Sequence, residues 1–150
     1  MGKTKIDITT VFARELTRMN TAFRQFIQQK VKQHEMDLTF EMLQVMGYLW
    51  EQDGINQQEI SALTVKDKVS ITYLVDNLSR RGLVFRQEDH SDRRNRLVYL
   101  TPAGRQLRQT IHPWVEEMYA LASRNIPVDD ISNCLDVLDK MHQNLKRNNW

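Results

Sequence analysis

Residues 91–104, S-D-R-R-N-R-L-V-Y-L-T-P-A-G, leave the chain few folds to choose from. The run opens polar and basic, with Arg93, Arg94 and Arg96 close together. It continues as an apolar strand pattern, Leu97-Val98-Tyr99-Leu100, and stops at Thr101-Pro102. That dipeptide starts a helix: Thr can cap it, and Pro fits the first helical position because its missing N–H would be unpaired there anyway. A basic tip on a strand, braced by the following helix, is poor catalytic equipment. It suits a polyanion, since guanidinium groups pair with phosphate oxygens and can enter a narrow DNA groove.

Charge distribution points the same way. Between Arg80 and Arg108 stand eight arginines against three acids (Glu88, Asp89, Asp92), a local +5 in a chain whose total is +2. The remainder is therefore mildly acidic, and the positive field is confined to one segment, as expected of a nucleic-acid binder. A chain of 150 residues suits a single domain with helical extensions and can bury a core without disulfides. One cysteine, Cys134, excludes an intramolecular disulfide framework, which makes a reducing cytoplasm the simplest home. No apolar run approaches the roughly 18 residues of a membrane span, so no membrane partner is expected.

Helical periodicity organises most of the chain. A first helix is expected over residues 9–33, capped by Thr9 or Thr10, with Phe12, Leu16, Met19, Phe23, Phe26, Ile27 and Val31 as its apolar stripe. Thr39 caps a second, which Asp53-Gly54 ends. Ile55 can add a short strand pairing. Asn56 and Glu59 have capping-box spacing before a short helix whose inward residues are Ile60 and Leu63. Asp67 caps a fourth helix that Gly82 closes. Two short helices joined tightly form a helix-turn-helix, here without the usual turn glycine at Thr64-Val65-Lys66. Leu83-Val84-Phe85 and 97–100 then read as a β-hairpin with a polar connection over 87–95. The helix after Thr101 contains His112-Pro113, where a kink or break is expected. Ile126-Pro127 stops it, and a last helix over about 129–147 aligns Ile131, Leu135, Leu138, Met141 and Leu145. The fold class is mainly α with a small β-wing. Its first and last two helices carry more apolar surface than so small a core can cover, which implies a symmetric dimer.

At about 100° per residue, Ile71, Leu74, Val75 and Leu78 share the inner side of the 67–81 helix. Val69, Tyr73, Asp76 and Arg80 face outward, flanked by Lys66, Ser70 and Asn77, with Thr72 at the margin. Hydroxyl, amide, cation and aromatic groups can bond base edges and phosphates or touch a thymine methyl. Asp76 would repel phosphate unless neutralised, for example by Arg80 at i+4.

The wing motif Asp92-Arg93-Arg94 followed by Leu100-Thr101 and Gly104 resembles the D-x-R…L-T-x-x-G pattern of the MarR family of transcription regulators. Leu38-Thr39, the run 71–78, and Arg81-Gly82-Leu83-Val84 are similar to that family too, so the likeness spans nearly the whole chain. The resemblance implies a homodimer built on helices within 1–35 and 102–150, with a winged helix-turn-helix lobe over 36–101. It implies that the 67–81 helix enters a major groove of double-stranded operator DNA and the wing a minor groove. Lys68, Ser70, Thr72 and Tyr73 would contact DNA, and Arg94 would enter the minor groove with Asp92 orienting it. Arg93 and Arg96 would serve phosphate or wing packing. Tyr73 departs from the arginine common in the family and cannot make a bidentate contact to guanine. A small aromatic or phenolic effector is the further expectation, with no pocket residue marked.

The function expected is therefore a dimeric repressor of a pseudo-palindromic operator, binding DNA through Lys66, Lys68, Ser70, Thr72, Tyr73, Asn77, Arg80, Asp92, Arg93, Arg94 and Arg96. The other class weighed is a winged helix that binds protein, which would carry a neutral or acidic wing. Four scattered histidines and one cysteine make no metal-ligand spacing, so neither metal nor cofactor is expected. No nucleophile–base arrangement or phosphate-cradling glycine loop suggests an enzyme. Cys134 reads as an apolar filler on the inner or interface side of the last helix.

Overall fold

A computed structural model describes residues 2–64 and 66–148. The elements run α1 (Lys5–Gln33), α2 (Phe40–Glu51), β1 (Ile55–Asn56), α3 (Gln57–Thr64), α4 (Lys68–Arg80), β2 (Val84–Glu88), β3 (Arg96–Leu100), α5 (Pro102–Ala122) and α6 (Val128–Lys146). They form two compact units, residues 1–115 and 116–150, with α5 passing from the first into the second.

The first unit is a winged helix preceded by α1. Helices α2, α3 and α4 bring Val45, Met46, Leu49, Ile60, Ile71, Val75 and Leu78 to full burial, against Val84 and Val98 of the sheet. Burying each such side chain contributes roughly 1.5–3 kcal/mol. The sheet is antiparallel, ordered β1-β3-β2, with Ile55 opposite Val98 and Val84 opposite Leu100. Helix α1 buries Ile27 and Val31 near its C-terminal end. There Arg24 pairs with Glu41 of α2 and lies 4.9 Å over the Phe40 ring. Burial alone would raise the Glu41 carboxyl, but the hydrogen bond and charge of Arg24 outweigh it and hold the group below its usual range.

Several caps stand where side-chain chemistry placed them. Thr39 accepts from Met42 N at 3.2 Å, Asn56 from Glu59 N at 2.7 Å, and Asp67 from Ser70 N at 2.7 Å. The first cap is corrected. Helix α1 starts at Thr4, which forms a reciprocal capping box with Asp7, and not at Thr9 or Thr10. Those two hydroxyls donate back to Lys5 O and Ile6 O inside the helix. Leu63 is exposed rather than inward, because α3 is too short to turn a second apolar residue fully onto the core. Gln87 and Glu88 belong to β2, not to the turn: cross-strand pairing with Leu97 and Arg96 extends the ladder past the apolar residues. Helix α5 runs through Pro113 unbroken.

The second unit holds the end of α5 and α6. Helix α6 begins at Val128, with Pro127 as its N-cap residue. Ile131, Leu135 and Leu145 are exposed along it. Cys134 is exposed as well, so within one chain it is not a buried filler.

Candidate nucleic-acid interface

Helix α4 is anchored at both ends. The Ser70 backbone N–H holds the Asp67 carboxyl below its usual range, so the N-cap stays ionised and bonded at neutral pH. At the other end Gly82 adopts φ 71, and Leu83 N bonds Leu78 O at 3.0 Å, closing the helix in a left-handed cap. Arg81 then ties α4 to the entry of α2, donating to Asp37 O at 2.8 Å and to Asp37 Oδ2 at 2.9 Å. The turn from α3 needs no glycine at 64 or 66: Ser61 Oγ bonds Lys66 O, Lys66 N bonds Ser61 O at 3.2 Å, and Tyr48 OH bonds Leu63 O at 3.0 Å. Val65, the middle of that turn, lies outside the described residues.

The inner face of α4 is as its spacing predicts, with Ile71, Leu74, Val75 and Leu78 buried. On the outer face Val69 is 80% exposed and Tyr73 64%. Lys68, Asp76 and Arg80 are exposed with them, and Lys66, Ser70 and Thr72 are half-buried. Asn77 belongs elsewhere. It is 7% exposed, donates to Tyr73 O at 2.8 Å and accepts from Arg80 and Arg81 at 3.0 and 3.2 Å. Its amide organises the arginines at the end of the helix instead of facing outward. Asp76 pairs at 2.7 Å with Arg86 of β2, not with Arg80. The strand brings Arg86 beneath the helix, whereas Arg80 is drawn to Asn77.

The wing tip is a network of short turns. Asp89 accepts from Ser91 N and Oγ at 3.0 and 2.8 Å and from Asn95 Nδ2 at 3.2 Å. These bonds, the Ser91 backbone N–H foremost, lower the Asp89 carboxyl. Asp92 accepts from Arg94 N at 3.0 Å, so it shapes the backbone that carries Arg94. The side chains of Arg93, Arg94 and Arg96 are exposed and make no ion pair among the described residues. At the wing's base Thr101 Oγ1 donates to Gly82 O at 2.6 Å and accepts from Gly104 N at 3.0 Å. Gly104 packs so closely that a Cβ there would lie 2.1 Å from Leu83 O. The spacing of Thr101 and Gly104 is thus a steric requirement for seating the wing on α5.

Between α4 and the wing lies a cleft of about 400 Å³, lined by Lys68, Thr72, Asp76, Arg86, Arg94 and Arg96 among others. Four cations and one acid line a single open surface, and the acid is already paired with Arg86. Such a surface attracts phosphate while offering polar groups to base edges. Two of its residues, Arg86 and Gln57, were missed in the sequence. Arg86 is one of eight arginines in its segment, and only its alternation along β2 could have marked it as inward. Gln57 offered no signal beyond its place in a helix N-terminus.

Comparison with known proteins is consistent with this geometry. Residues 36–95 match a model described as MarR family. The transcriptional regulator HosA of Escherichia coli O157:H7 is 35% identical over 98 residues, covering 61% of this chain and 73% of HosA. The solved structure of S. aureus MepR in its DNA-binding conformation superposes with a TM-score of 0.80 at 25% identity, covering 89% of this chain and 98% of MepR. AbfR of Staphylococcus epidermidis superposes at 0.81 with 20% identity over 95% of this chain and 96% of its own, a likeness of fold alone.

Proposed function

The chain belongs to the MarR family of transcription regulators, and we propose that it works as a homodimer on a pseudo-palindromic operator. One observation carries the reading: the outer face of α4 and the free wing-tip arginines border the same cationic cleft. In this reading α4 enters the major groove with Lys66, Lys68, Ser70, Thr72, Tyr73 and Arg80. Arg94 enters the adjacent minor groove on backbone held by Asp92, and Arg93 and Arg96 engage phosphate. Asn77 acts through Arg80 and Arg81. Two-fold symmetry separates the half-sites by about one helical turn, roughly 34 Å. Charge on the wing favours DNA over a protein partner.

Residues 36–101 form the reading lobe, and the helices within 1–35 and 102–150 serve dimerisation. Exposed Ile6, Ile8, Val11 and Leu16 on α1, and Ile131, Leu135 and Leu145 on α6, support this, because apolar rows of that length call for a partner. The protein acts by binding, without catalysis, in the cytoplasm. No helix among the described residues is long and apolar enough to cross a membrane. Repression follows from occlusion of the promoter, and a small aromatic or phenolic effector releases the operator by binding its two conformations unequally.

The test is a titration of operator fragments selected from the source genome. Arg94→Ala is expected to weaken operator binding by roughly 1–3 kcal/mol at fixed salt. Wild-type affinity in that variant sinks the wing assignment. A concentration-independent monomer in sedimentation sinks the dimer. A phenolic and metabolite screen that moves neither melting temperature nor operator affinity removes the effector.

A further inference from the structure

Val69 and Tyr73 are the two most exposed large apolar side chains among the described residues of 36–101, at 80% and 64%. Phe85, at 43%, at least stacks on the Tyr99 ring, with centroids 5.6 Å apart. Val69 and Tyr73 stand at i and i+4, so one lies above the other on a single face of α4. They form a ridge between two open hollows. The first, of about 410 Å³, is lined also by Glu41, Lys66 and Ser70, and the second, of about 390 Å³, by Lys68, Thr72 and Asp76. Each hollow thus holds one lysine and one carboxylate. Both carboxylates are already paired, Glu41 with Arg24 and Asp76 with Arg86. The hydroxyl beside the ridge is engaged within the protein: Thr72 Oγ1 donates to Lys68 O at 2.9 Å and accepts from Gln57 Nε2 at 3.0 Å. The result is an apolar ridge in a surface whose uncommitted charge is positive. An apolar protein or lipid partner would have to strip water from the lysines, whereas a duplex meets them with phosphate.

We infer that Val69 is a specificity-determining residue: with Tyr73 beside it, it covers the 5-methyl group of a thymine in each half-site. That methyl is the one aliphatic group that base pairs present in the major groove. Valine has neither donor nor acceptor in its side chain, so against any other base edge it displaces water from polar atoms and offers nothing in return. Against a thymine methyl, both apolar surfaces leave water together. The inference rests on the proposal that α4 reads the major groove; it adds Val69 to the reading residues and names the base.

A cycle of one protein change and one base change tests this. An operator selected with the full chain is resynthesised with uracil in place of each thymine in turn. Uracil keeps every hydrogen-bonding atom of thymine and lacks only the methyl. At one thymine of each half-site the replacement is expected to weaken wild-type binding about fourfold, the contribution of burying one methyl-sized group. In Val69→Ala the same replacement should leave affinity almost unchanged, because the side chain that covers the methyl is gone. The variant keeps its fold, since the position is exposed and alanine is the better helix former. Its salt dependence of binding should match the wild type, because no charge changes. If no thymine is sensitive in the wild-type complex, the ridge faces something other than a base, a protein segment included, and the inference fails. It fails equally if the sensitivity persists at full size in Val69→Ala, because uracil then acts through the shape or stacking of the DNA. Wild-type protein that selects no operator sinks DNA reading itself, and this inference with it, before any base is replaced.

Discussion

Helices α4 and α6 resemble one another in amphipathic spacing and differ in what that spacing meets. In α4, Ile71, Val75 and Leu78 are wholly buried, while in α6 Leu135 stays 61% exposed and Leu145 57%. Helix α4 closes on α2, α3 and the sheet, which supply complementary apolar surface within about sixty residues of sequence. Among the described residues of α6 none is buried. An apolar stripe therefore states that a helix needs a partner, and local topology decides whether the same chain provides one. The winged-helix core is covered from within the chain, whereas α6 keeps its apolar stripe exposed.

Replacing core residues breaks this contrast most strongly. Leu78→Ala is expected to cost about 2–5 kcal/mol in denaturant unfolding, because the void sits in a core with no slack. Leu135→Ala should leave the unfolding of an isolated chain nearly unchanged. Equal losses at the two positions would show that α6 is buried in the working protein to the same degree. Gly104→Ala comes next: the added methyl must displace the Leu83 carbonyl, at about 1–3 kcal/mol. Increased amide exchange confined to β2 and β3 would report a wing unseated from an intact helical core.

Self-association sharpens the other side. Leu135→Asp places a charge on the α6 stripe and should weaken dimerisation at least tenfold, about 1.4 kcal/mol. At a given concentration the variant would then melt below the wild type, and the concentration at which the wild-type melting temperature is reached would rise at least tenfold. The smallest effect belongs to the wing turn. Its folded carboxyl at Asp89 lies below the unfolded value, so its contribution is fully present above about pH 4 and is lost as pH falls through the lower folded value. Order at the tip, followed by the Asn95 side-chain amide resonances, should fade in that window. Asp89→Asn should remove the pH dependence while leaving the core's melting unchanged.

Legibility followed the range of the interaction concerned. Thr39, Asn56 and Asp67 were readable as caps because a cap joins residues three apart, and Thr101 with Gly104 for the same reason. Thr4 escaped notice because the apolar stripe that marks α1 begins after the cap. Asp76 was assigned to Arg80 by local spacing, but β2 carries Arg86 to it from ten residues away, and the nearer arginine is held by Asn77. Asn77 looked like a flanking polar residue, since angle alone cannot tell solvent from the edge of a core.

Sequence by itself determined the order of elements, the inner face of α4, the basic wing and the likeness to one regulator family, all properties of near neighbours along the chain. Tertiary structure decided how those parts share their hydrogen bonds. It withdrew Asn77 from the outer face, neutralised Asp76 and tied Gln57 to Thr72. Each of these depends on groups distant in sequence satisfying one another's polar atoms, since a side chain brought near the core must find a partner wherever the fold offers one.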